Sequence, residues 1–221
     1  MSYGIHITGS NGFTQVDQNY QNYILIAEGS ASTGSTITFT TTDAPIVMVS
    51  VTPSDRIYLL ESITSSSFKV LSHAANSGSG TGSGPDLAPN FTFSYRVYGR
   101  AGQHVSTSYG EYGLRVLTPN GEVAFDSNYR YPRILQIADM GSSPNVQAVN
   151  VPGAFTPFVS LGGLGAATEV YPGINYTDYW YSFGLEVKQG SIRIFDVYRG
   201  GVATQANYKG RDARLTLLIS D

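Results

Sequence analysis

YGLRVLTPNGEVAFDSNYRY, from Tyr112 to Tyr131, reads as a complete β-hairpin. Leu114 and Val116 alternate with polar Arg115, Val123 and Phe125 alternate with smaller or polar neighbours, and Asn120-Gly121 separates the two runs. Asn-Gly tolerates the positive φ of a tight hairpin turn. Gly113 offers a bulge or a close approach within the first strand, and Asp126-Ser127-Asn128 can close an Asx turn after the second.

An earlier stretch, YGIHITGSNGFTQVDQNY from Tyr3 to Tyr20, repeats this hairpin without a gap. The matched pairs are Tyr3/Tyr112, Gly4/Gly113, Asn11/Asn120, Gly12/Gly121, Asp17/Asp126, Asn19/Asn128 and Tyr20/Tyr129, with Ile5/Leu114 and Ile7/Val116 conservatively matched. With gaps, the match continues from Ile24-Leu25, Ala27-Glu28 and Gly29-Ser30 to Ile134-Leu135, Ala138-Asp139 and Gly141-Ser142. Such self-similarity marks an internal duplication. It divides the 221 residues into expected domains at 1–100 and 109–221, joined through Gly99 to Tyr109.

Short apolar or alternating runs recur between turn residues throughout the chain. In the first half they are Ile24-Leu25-Ile26, Thr36 to Thr40, Ile46 to Val51, Arg56 to Leu60, Ser67 to Leu71 and Phe91 to Val97, with Gly29 to Ser35 expected as a loop. In the second they are Ala154 to Val159, Tyr179 to Val187, Ser191 to Phe195 and Arg214 to Ile219, with a hairpin signal at Lys188-Gln189-Gly190. The expected fold is all-β, two tandem antiparallel β-sandwich domains. Asn76 to Pro85 is a Gly/Ser segment expected as a flexible surface loop, since no Gly-Lys-Ser/Thr follows to make it a phosphate cradle.

The second hairpin resembles the opening of a group of small tail-tip and minor virion proteins of tailed bacteriophages. The residues that carry the resemblance are Tyr112-Gly113-Leu114, Asn120-Gly121, Val123-Ala124-Phe125-Asp126-Ser127 and Arg130-Tyr131. The first copy departs from it, with Gln15-Val16-Asp17-Gln18 in place of the later Ala-Phe-Asp-Ser. The resemblance implies a structural virion protein at the distal tail, assembled in the host cytoplasm. Its implied partners are other virion proteins, copies of itself, and a host-surface glycan or protein. A capsid decoration protein and a carbohydrate-binding β-sandwich module remain open alternatives.

Composition narrows the chemistry. Charged residues are only 13% of the chain, the net charge is -3, and the thirteen basic residues are scattered, which argues against a nucleic-acid surface. Cysteine is absent, so disulfides and thiolate metal sites are excluded. No basic and apolar leader opens the sequence and no apolar run is long enough to cross a bilayer, so membrane insertion is not expected. His6, His73 and His104 lack metal-ligand spacing, no nucleophile motif occurs, and no cofactor or catalytic residue is expected. The carboxylates Asp55 with Glu61 and Asp178 with Glu186 are expected to be solvated. Tyr176, Tyr179, Trp180 and Tyr181 are the candidate contact residues, because aromatic rings with polar tips suit a protein interface or a sugar platform.

Overall fold

The computed structural model describes residues 6–8, 14–17, 21–50, 56–74, 90–101, 113–139, 147–151, 157–161, 166–170, 178–188, 191–202 and 216–220. Among these the chain forms β-strands and no α-helix. The first half supplies β1 (His6–Thr8), β2 (Thr14–Asp17), β3 (Tyr23–Ser32), β4 (Thr36–Thr38), β5 (Ile46–Ser50), β6 (Arg56–Ile63), β7 (Ser67–Ala74) and β8 (Thr92–Arg100). The second half supplies β9 (Arg115–Leu117), β10 (Val123–Asp126), β11 (Ile134–Asp139), β12 (Gln147–Asn150), β13 (Phe158–Ser160), β14 (Ala166–Val170), β15 (Asp178–Lys188), β16 (Ser191–Val202) and β17 (Thr216–Ser220).

Among the described residues every strand pairing is antiparallel, in two hairpins and two larger sheets. The six-stranded sheet runs β11-β17-β13-β5-β8-β3, and the seven-stranded sheet runs β12-β16-β15-β6-β7-β4 with β14 added to β15. The sheets do not divide at residues 100–109. In the first, Val49 of β5 pairs with Val159 of β13; in the second, Leu59 of β6 pairs with Gly184 of β15. Each sheet therefore draws strands from both halves, in place of the separate pairing expected of tandem units. The expected connection also begins later, since Gly99 and Arg100 complete β8 and Gly99 pairs with Ile24.

Each sheet has the same order read from either end. Outward from the β5·β13 seam stand β8 and β3 on one side, and β17 and β11 on the other. Outward from the β6·β15 seam stand β7 and β4, and β16 and β12. The small hairpins agree residue by residue: His6↔Asp17, Ile7↔Val16 and Thr8↔Thr14 in one become Arg115↔Asp126, Val116↔Phe125 and Leu117↔Val123 in the other. All six positions are displaced by 109, and the same one-residue irregularity falls in both. The outermost pairings of the six-stranded sheet are interrupted in the same way, at Ile26 on β3 and at Leu135 on β11, again 109 positions apart. The bulges place Ile26 against Leu135, one residue away from the sequence match of Leu25 with Leu135.

One hydrophobic core serves both halves. Val47, Val49, Phe93 and Val97 of the six-stranded sheet cluster with Phe68, Val70, Leu185 and Ile192 of the seven-stranded one, and with Val159, Leu161 and Ile219. Aromatic rings join strands of different sheets: Phe68 on β7 lies edge-on to Phe93 and Tyr95 on β8, at 6.5 and 5.6 Å between centroids. β5 reads as a continuous apolar run because Val47, Met48 and Val49 are all fully buried, so neither face of this central strand meets water. Across the seam, the Arg96 guanidinium lies 3.9 Å over the Phe158 ring, a cation–π contact between the two halves.

One further sequence expectation shifts. Gly29 to Ser32, expected in a loop, continue β3, because Gly29 and Ser30 pair with Tyr95 and Ser94. The Gly/Ser segment from Asn76 to Pro85, the turn Asn11-Gly12 and the candidate Tyr176 lie outside the described residues.

Candidate functional site

The second hairpin is held by side chains from the stretch that the sequence singles out. Asp126, only 2% exposed, accepts from Arg115 Nε at 2.7 Å, and a second Arg115 nitrogen completes the ion pair across the two strands. The other carboxylate oxygen accepts from the Asn128 backbone N–H at 2.9 Å and from Asn128 Nδ2 at 3.0 Å, the expected Asx turn. Burial pushes the Asp126 carboxyl upward, but the Asn128 N–H, the Arg115 hydrogen bond and charge, and the Asn128 amide together hold it below the ordinary carboxylate value.

Tyr131 closes the same loop. Its hydroxyl accepts from the Asp126 N–H at 2.7 Å and donates to the Asp126 carbonyl at 2.8 Å, while its ring stacks on Phe125 at 5.0 Å. Burial raises the Tyr131 phenol above its ordinary value; the hydrogen bond from Asp126 opposes the shift. Ser127 Oγ accepts from the Leu114 N–H at 2.8 Å. Gly113 stands before β9 and permits this closure, because a Cβ there would lie 2.7 Å from Ser127 Oγ and 2.8 Å from Asn128 Nδ2.

The turn differs from a two-residue Asn-Gly turn. Gly121 N–H donates to the Thr118 carbonyl at 2.9 Å, so Pro119 and Asn120 are the central residues and Gly121 follows with φ +83°. Among the described residues no non-glycine residue has positive φ, Asn120 included. This is the three-residue hairpin loop, a turn followed by a left-handed glycine.

The hairpin docks on the edge of the six-stranded sheet. Asn22 donates its backbone N–H to the Ala124 carbonyl at 3.1 Å, and Leu25 donates to the Arg130 carbonyl at 2.7 Å. Arg130 pairs with Glu28, and Val123 is buried with Ile24 and Ala101. Between the turn, the start of β3 and the end of β8 lies a cleft of about 550 Å³ lined by Gln21, Tyr23, Arg100, Thr118, Pro119, Asn120 and Glu122. Hydroxyl, amide and charged groups beside one aromatic ring suit hydrogen bonding to a polar ligand.

The candidate aromatics are placed by backbone alone. Tyr179, Trp180 and Tyr181 lie where β15 runs between β14 and β16: Trp180 stands opposite Thr168 on one side and Gly200 on the other. A one-residue irregularity separates Trp180 from Tyr181 in the β16 pairing. The hairpin turn and the aromatic strand therefore belong to different sheets. The carboxylates part company too: Glu61 is ion-paired with Lys69 at 3.0 Å, whereas Glu186, expected to be solvated, is 2% exposed on β15 in register with Arg193. Asp55 lies outside the described residues.

Sequence reading missed the exposed apolar residues of β11 and its approach, where Ile134, Leu135 and Ile137 are 36, 38 and 66% exposed. The available signal was Ile134-Leu135-Gln136-Ile137 itself, which puts apolar groups on both faces of a short strand. Comparison with protein-family models, curated proteins and solved structures returns no significant match to this chain.

Proposed function

We propose that this chain is a non-enzymatic structural protein of a tailed-phage virion, acting at the distal tail in assembly or host-surface contact. The observation that carries the reading is the second hairpin. The Gly113, Phe125, Asp126, Ser127 and Tyr131 of the phage-like stretch fasten one hairpin together, so the resemblance extends over residues that act together. The chain is read as a duplicated unit whose halves share a single β-sandwich. Mirrored strand orders, matching hairpin registers and the common core support this. Function is then binding through sheet edges and apolar contacts without turnover.

Antibody-gold labelling of purified particles tests the reading. Label at the tail end is the expected result; label over the head favours the decoration protein, and unlabelled particles remove the virion assignment. The polar cleft beside Asn120 favours a second reading, host-glycan recognition by the same protein. Loss of glycan-array signal in Asn120→Ala and Tyr23→Ala, with unchanged melting, is its expected signature.

A further inference from the structure

We infer that β11 is a self-complementary docking edge through which two copies of this chain join their six-stranded sheets. The inference deepens the proposed binding through sheet edges and rests on that reading, though not on a position in a particle. β3 and β11 are the two ends of the sheet, yet they are finished differently. Along β3, Leu25 N–H is taken by the Arg130 carbonyl, and Glu28 is ion-paired with Arg130. At β11, the position 109 residues beyond Glu28 is Ile137, the most exposed of the large apolar side chains described. No described strand pairs with the outer side of β11. A charge closes one edge, and an open apolar edge is a template for strand addition.

The sequence of β11 selects a second copy as the occupant. Two antiparallel copies centred on Gln136 bring Leu135 opposite Ile137, Ile134 opposite Ala138, and Arg133 opposite Asp139, each twice by symmetry. A slip of one residue sets Asp139 against either Ile134 or Pro132, and a slip by a further residue on one side sets it against Leu135. Charge matching and apolar matching therefore agree in one register. Gln136 stands opposite its own copy at the centre of that register. A six-residue strand makes a small interface, suited to weak association that many copies in an assembly would reinforce.

Sedimentation equilibrium of the full chain tests this. The wild type is expected to show twice the 23.7 kDa chain mass, and Ile137→Lys to return it to the single mass with unchanged thermal melting. Arg133→Asp and Asp139→Arg, each with like charges opposed in its own homodimer, are expected to be monomeric alone. Mixed in equal amounts they are expected to restore the double mass, because each then meets its opposite charge. A monomeric wild type up to about 100 μM, or a dimer indifferent to Ile137→Lys, overturns the edge. A mixture that stays monomeric overturns the register. None of these results depends on gold labelling, so the docking edge and the tail assignment fail separately.

Discussion

At the scale of single residues, Asp126 concentrates the hairpin's electrostatics. It is buried, ion-paired with Arg115 and hydrogen-bonded twice by Asn128, so its charged form is the one the fold stabilises. Asp126→Asn keeps the shape but removes the charge opposite Arg115, and about 2 kcal/mol of stability is expected to go with it. The pH dependence has a definite sign. The folded carboxyl titrates below its ordinary 3.8, so its contribution is present above that value and is lost as pH falls through the lower folded value. Acid titrations of unfolding free energy check this: the gap between wild type and Asp126→Asn should narrow below pH 3.8. A gap constant with pH would show that the pair contributes by packing alone. The role of Asp126 was partly legible, since Asp-Ser-Asn is an Asx-turn sequence. Its pairing with Arg115 was not, because that pairing depends on cross-strand register, which local propensity does not fix.

At the scale of the element, the second hairpin was readable as a hairpin and less readable as a turn. Alternation placed β9 and β10, while the assignment of Asn120 and Gly121 to the two central turn positions missed Pro119, whose fixed φ suits the first of them. Only Gly121 needs the left-handed conformation, and nothing lies within 4 Å of where its Cβ would be. Gly121→Val is therefore opposed by backbone strain and not by a clash, at a cost of at least about 1 kcal/mol. Asn120→Ala, at a residue with ordinary φ, should cost much less. Thermal melts of the two variants separate the readings: equal losses would restore Asn-Gly as a symmetric pair of turn residues, and no loss from Gly121→Val would remove the turn as described.

At the scale of the whole molecule, the residue matches between the two halves were visible in the sequence but the strand edges the halves share were not. Matching residues report that two segments are alike; which strand edges they share is decided by pairings over a hundred residues apart, such as Val49 with Val159 and Leu59 with Gly184. The candidate aromatics are framed more locally, because the strands paired with Tyr179, Trp180 and Tyr181 are β14 and β16, the neighbours of β15 in sequence. The shared sheets carry a consequence for the isolated half. Residues 1–101 alone would uncover the inner edges of β5 and β6 and the side of the core that Val159, Leu161, Leu185 and Ile219 close. Each of those side chains is fully buried in the intact chain, and leaving such positions open forfeits on the order of 1.5–3 kcal/mol apiece. The half-chain is therefore expected to self-associate, re-creating the β5·β13 and β6·β15 seams between identical copies, and to have no stable monomeric form. Light scattering across a dilution series reads the outcome directly: mass falling to the single half-chain together with loss of β signal is expected, whereas a folded monomer with a cooperative melt would show that the two halves stand independently.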